Sequence, residues 1–298
     1  MNITEILAKT TETMHPADIA FMALGFTMLA IWLYRTSLAA TALANSHPRR
    51  NNLPAYMPFI PLFIAVLTAT IAVALREKLL PNQPKWQCDF YDNASFCIGA
   101  IIAIAVIIYF AKKHFARGLK GFGIRFKTIP KDLPAAIINL ITIAPLIIIA
   151  VQLTVFFGML IYGPDFEMTK HDQLQSISAH NQLPLQIIIV ITTIVIAPIF
   201  EELLFRGLFQ TMIGSFLAGS DFADTYIQTK QHAWLAIVCS SIIFASIHAN
   251  PSHWPALFVL SMALGYAYEK SGSIFRPIFI HITFNAINII TALNNATP

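Results

Sequence analysis

The stretch Ile199-Phe200-Glu201-Glu202-Leu203-Leu204-Phe205-Arg206-Gly207 places two carboxylates and a guanidinium in an otherwise apolar run. A charge near the centre of a bilayer costs at least ~2.5–3.5 kcal/mol on insertion scales, so ionisable groups in such a run are functional candidates. Four-residue spacing puts Glu202 and Arg206 on one helix face, where they neutralise each other as a desolvated ion pair. Glu201 points ~100° away around the helix and needs a partner from another element. Two further apolar runs offer partners. His248 ends the run that starts at Cys239, and His281 and Asn285 stand four apart, so one helix face presents an imidazole and a carboxamide together. A lone histidine in a membrane helix is more often a packing residue. Two histidines, an asparagine and an unpaired glutamate on three runs form a set able to hold and move protons. Glu201, His248 and His281 are also the ligand set of a two-His, one-Glu zinc site. His232 and His253 fall at span ends and read as interfacial. In a competing reading the span ends at Phe200 and the charges sit at the membrane surface. The apolar continuation to Leu217 weighs against it. Pro198, just before the acids, is placed to kink the helix and free a backbone carbonyl.

These runs must be held by elements that the composition identifies. Apolar residues make up 56% of the 298 and charged residues 11%, against about 25% charge in an ordinary soluble chain. With 23 Phe and a mean hydropathy of +0.65, there is too little polar material to cover a soluble body, so the chain belongs in a bilayer. Uncharged intervals then mark spans at 19–34, 51–75, 93–111, 133–164 and 173–200. A 230–269 interval is split in two by Pro251 and Pro255 around Ser252-His253-Trp254, and a last span runs from Ser273-Ile274 to Ala292. The expectation is an all-α polytopic helix bundle of about eight transmembrane helices, with the chemistry in the C-terminal four. No loop is long enough to hold a separate core.

The charges that remain set the topology. Seven of the nineteen basic residues lie between Lys112 and Lys131, where no acid precedes Asp132, and Arg35, Arg49 and Arg50 mark the 35–52 loop. The positive-inside rule makes both loops cytoplasmic, and the +4 balance is explained with no nucleic-acid partner. The N-terminal segment and loops 76–92 and 164–172 then lie outside. The first span reads as an uncleaved anchor, since residues 1–18 lack a signal-peptide shape. The expected location is the inner or plasma membrane of the cell. Cys88 and Cys97 flank a loop placed outside, which leaves open one bridge or two structural thiols.

The series Glu201-Glu202-x-x-x-Arg206, Phe244-x-x-x-His248 and His281-x-x-x-Asn285 resembles the three signature motifs of the CPBP family. These are the CAAX-protease and bacteriocin-processing intramembrane proteases, or Abi family, related to the type II CAAX prenyl endopeptidase. Between the last two motifs, Leu264-Gly265-Tyr266-Ala267-Tyr268 and Ser271-Gly272-Ser273-Ile274 look like the family's Leu-Gly-x-x-Tyr and small-Gly-Ser turn. The resemblance covers about residues 185–292 as a protease core. Residues 1–184 add helices of unassigned role, and 293–298 form a tail.

The resemblance implies hydrolysis of a peptide bond in a membrane-associated or lipid-modified peptide or protein. Glu201 would act as general base, with His248 holding the attacking water. His281 and Asn285 would donate to the oxyanion, while Glu202, Arg206 and Phe244 would support them. No cofactor is expected, because the usual His-Glu-x-x-His helix is absent; zinc on Glu201, His248 and His281 is the alternative. The resemblance also implies a cytoplasmic opening, in agreement with the basic loops. Two other functions compete. One is a non-catalytic immunity or scaffold protein of the same fold. The other is an ion- or proton-coupled transporter, disfavoured because no inverted repeat is visible and the acids are confined to one helix.

Overall fold

The structure is a computed structural model and describes residues 16–44, 46, 49–169, 172–218 and 230–294. The expectations for the N-terminal segment before residue 16 and for the last four residues of the tail lie outside these. The described residues form an all-α bundle. Its helices are α1 (Pro16–Arg35), α2 (Phe59–Leu79), α3 (Lys85–His114), α4 (Ile129–Tyr162), α5 (Asp172–Ala179), α6 (Leu183–Leu217), α7 (Lys230–Ser246), α8 (Trp254–Ser271) and α9 (Phe275–Asn294). Five segments are long and apolar enough to cross a membrane: α2, α3, α6, α9 and the run Leu119–Tyr162, which ends in α4. The apolar parts of α1 and α7, Ile19–Arg35 and His232–Ser246, are shorter. Length and composition thus single out five candidate spans among the described residues, against the eight counted from charge spacing. The other three expected spans correspond to α1, α7 and α8.

The outer surface is apolar, as lipid contact requires. Phe63, Val66 and Leu75 on α2 and Leu153, Phe157 and Ile161 on α4 are all exposed, a pattern that water would not tolerate. The protein is an integral membrane protein. The interior is built around α6. Phe200, Leu203, Leu204, Phe205, Leu208 and Phe209 are buried with Phe244, Tyr268 and residues of α3 in one cluster. Gly207 is required there, since a Cβ would stand 2.1 Å from the ring of the fully buried Phe122.

Helix α4 starts with Pro130 in its first turn, where the missing N–H costs nothing. Pro145 sits within it, and Gly25 of α1 packs so closely on that point that a Cβ would meet the proline ring at 2.5 Å. Helix α8 ends at Gly272, whose φ of 63° is left-handed and whose N–H reaches the Tyr268 carbonyl. The turn into α9 is closed by Ser271 Oγ, which accepts from the Ser273 N–H. The Leu-Gly-x-x-Tyr pattern serves packing: Leu264 and Tyr268 are buried, and Tyr268 donates its hydroxyl proton to the Phe122 carbonyl at 2.7 Å.

Two expectations about side chains change here. Cys88 and Cys97 lie on one helix, α3, and do not flank a loop. Nine residues of helix separate them by about 13 Å, beyond any disulfide, and both are free thiols. Arg49, counted with the cytoplasmic surface charges, is buried. It pairs with Glu269 at 3.0 Å and lies 3.4 Å over the Tyr268 ring.

Candidate active site

Helix α6 is not a continuous α-helix. Residues Ile191–Ile196 and Leu203–Gln210 are π-helical, and the α-helical turn Ala197–Glu202 that carries both glutamates lies between them. The π-geometry sends the Ala197 N–H to the Thr192 carbonyl. The Thr193 carbonyl thereby loses its α-helical donor, and the next residue that could supply one is Pro198, which has no N–H. Asn285 fills the gap from α9, donating its side-chain N–H to the Thr193 oxygen at 2.8 Å. Sequence reasoning anticipated a carbonyl freed near Pro198 but assigned Asn285 wholly to the reaction. Asn285→Ala is expected to lower stability by about 1 kcal/mol, because a half-buried acceptor loses its donor. Thermal unfolding of the variant in detergent would check this.

The two glutamates differ in environment as their spacing predicts. Glu202 and Arg206 are both fully buried, and the Arg206 Nε donates to Glu202 Oε2 at 3.0 Å. A second bond runs from Arg206 Nη2 to Ser261 Oγ at 3.0 Å. The guanidinium carbon lies 5.2 Å from the centre of the Phe244 ring, a cation–π contact. Glu202 also accepts from His281 Nδ1 through its other oxygen at 3.0 Å. A carboxylate only accepts, so this bond fixes the Nδ1–H tautomer and turns Nε2 the other way. That atom stands 3.8 Å from Glu201 Oε2, too far for a hydrogen bond. The partner that Glu201 lacked on its own helix is thus His281. Glu201 keeps 20% of its side-chain surface exposed, whereas Glu202 keeps none.

His248 lies just past the end of α7. Its Nδ1–H donates to the Phe244 carbonyl at 2.7 Å, which leaves Nε2 as the acceptor of a neutral ring. The Phe244 ring sits between the histidines, 4.9 Å from His248 and 6.0 Å from His281. The two histidines, 33 positions apart, line one cavity.

Glu201, His248, His281 and Asn285 all line a single cavity of about 750 Å³. The supporting residues Glu202, Arg206 and Phe244 lie behind its wall, fully buried. Sequence reasoning missed much of the remaining lining. Asp92, Asn93 and Phe96 come from α3, Ile147 and Val151 from α4, and Met168 from the loop after α4. His253, read as merely interfacial, also lines the cavity, with Nε2 2.9 Å from the Thr169 carbonyl. The helices before residue 185 therefore wall the site as well. Among the described residues, no three His, Cys, Asp or Glu side chains converge as a metal site.

Buried charge also extends below the site. Gln210 donates to Glu269 and to the Gly265 carbonyl, and Glu269 in turn pairs with Arg49. Asp132 at the start of α4 pairs with Arg276 at the start of α9 at 3.0 Å.

Comparison with known proteins bears on the same segment. The chain is 26% identical over 106 residues to a Bacillus subtilis (strain 168) protein named "Putative membrane peptidase YdiL", an overlap of 36% of this chain and 38% of that one. It is 21% identical over 146 residues to an Escherichia coli protein of 24.3 kDa, covering 48% of this chain and 62% of the relative. The match thus spans less than two thirds of either relative. No solved structure matches. The family model that matches is that of the type II CAAX prenyl endopeptidase, Rce1-like, over residues 183–287, which contain all three motifs. Over that segment the chain is similar to the Rce1-like family, as its motifs lead one to expect.

Proposed function

We propose that the protein is an intramembrane endopeptidase that cleaves a membrane-associated or lipid-modified peptide or protein with a water activated by Glu201. The observation that carries this reading is the contrast between neighbouring acids: Glu202 is consumed by Arg206 and His281, while Glu201 faces the cavity with no hydrogen bond among the described residues. A water held between Glu201 and the His248 Nε2 lone pair gives its proton to the Glu201 carboxylate as its oxygen attacks the scissile carbonyl. The carbonyl π electrons move to oxygen. When the tetrahedral intermediate collapses, Glu201 returns the proton to the departing amine.

The oxyanion needs donors. Asn285 spends one side-chain N–H on Thr193 and retains the other. His281 donates through Nε2 only when it carries a second proton, since Nδ1–H is engaged by Glu202. The support is the shared cavity, the membrane location and the match to a family of membrane peptidases.

The test compares membrane proteomes of cells carrying the wild-type chain and the Glu201→Gln form at equal protein level. Uncut substrate is expected to accumulate with the variant. A cellular phenotype fully rescued by Glu201→Gln would instead indicate a scaffold or immunity role. The reaction is proposed to need no metal, because the donors do not converge as a metal site among the described residues. Cleavage by purified protein is expected to persist after exhaustive chelation. Loss of cleavage that zinc restores would overturn this part.

A further inference from the structure

The cavity and the basic loops occupy opposite ends of the bundle. At one end, backbone bonds join residues 50–52 to 114–116, and the Ile274 N–H reaches the Gly123 carbonyl. Arg125 donates to the Gly272 carbonyl there, and Thr128 meets Ser273. This end gathers both basic loops together with Lys270 and Arg276. At the other end, Arg76 pairs with Asp92, Ser176 donates to Asp89, and both Asn250 and His253 reach Thr169.

The cavity belongs to this second end. Asp92, Met168, Gln173 and His253 line it, and no described residue of the first end does. Glu201 and His281 line it as well. Beneath them the fully buried Glu202, Arg206 and Phe244, and then the Gln210–Glu269–Arg49 chain, close the way to the basic end. A cytoplasmic opening and cytoplasmic basic loops, which looked compatible in the sequence, therefore exclude each other.

The positive-inside bias is a property of the whole chain and is strong here, so it decides between them. We infer that the cavity opens to the non-cytoplasmic side. If the proteolytic reading holds, on which this substrate class rests, the substrate is a membrane-anchored protein whose scissile segment enters from the exported face. A chain end presented in the cytoplasm would meet the closed end of the bundle.

The test uses the full chain with Cys88, Cys97 and Cys239 replaced by serine and one new cysteine at a time: Met168→Cys at the mouth, Asn288→Cys on the cavity wall and Lys120→Cys at the basic end. Intact cells are treated with a membrane-impermeant maleimide. The first two variants are expected to react in intact cells and Lys120→Cys only after permeabilisation. Labelling of Lys120→Cys in intact cells with protection of Met168→Cys would overturn the inference. So would a reactive Met168→Cys with an Asn288→Cys that stays protected. Mapping the cut sites of substrates that accumulate with Glu201→Gln adds a second arm, with cuts expected at or beyond the exported membrane boundary. Expected labelling without any Glu201-dependent substrate would sink the protease reading and leave the access route standing. Reversed labelling with such substrates would do the opposite.

Discussion

Replacing Glu201 by Gln is expected to slow cleavage by about 10²–10⁴-fold, the usual contribution of a positioned general base, with no loss of folded protein. The second half of this expectation follows from the geometry. Glu201 makes no hydrogen bond among the described residues, its contact with His281 is 3.8 Å long, and a fifth of its surface faces the cavity. The amide has the same shape, so packing is kept; only the long contact with His281 weakens and the capacity to take a proton disappears. Rates on a substrate found in the proteome comparison, measured alongside thermal unfolding in the same detergent, check both halves. A variant that cleaves at the wild-type rate would remove Glu201 from the reaction.

The second large effect concerns the neighbouring pair and has the opposite character. Arg206→Met is expected to cost about 3–5 kcal/mol, the range for breaking a buried ion pair from one side. The cost arises because Glu202, fully buried, would keep its charge with only His281 as partner. The double variant Glu202→Gln with Arg206→Met removes both charges and is expected to recover most of that stability. Activity is expected to stay low in the double variant, because a glutamine holds the His281 tautomer less firmly than a carboxylate does. Unfolding and cleavage measured on the three proteins separate the two roles. A double variant that recovered stability and full cleavage together would show that Glu202 has no part in orienting His281.

Much of the site was legible because its spacing is local. The Glu202–Arg206 pair follows from four residues of helix, and the lack of a same-helix partner for Glu201 follows from one. Scarcity of charge made Glu201, Glu202 and Arg206 stand out, and it located the fold class too. The features that escaped depend on residues far apart in the chain. Arg49 and Glu269 are 220 positions apart, and nothing in the 35–52 loop distinguishes Arg49 from Arg50, which remains exposed. Asp92 and Phe96 join the cavity through the packing of α3 on α6, which leaves no periodic trace. The π-turns were invisible for a different reason: the local sequence is ordinary, and only the carbonyl at Thr193 reveals the altered bonding.

The π-helical segments on either side of the glutamates have a further consequence. Each bonds i to i+5 and so accommodates a residue more than the α-turns around it. Such a segment works as a slip joint: the helix before it and the helix after it need not keep a common angular phase. Deleting one residue between Leu204 and Phe209 would let that segment return to α-geometry, so that Gln210 kept facing Glu269 while Glu201 and Asn285 kept their places. The reactive turn and its buried anchor are thus indexed separately along one helix. Sequence could drift in the anchor by insertion and deletion without reorienting the carboxylate that faces the cavity.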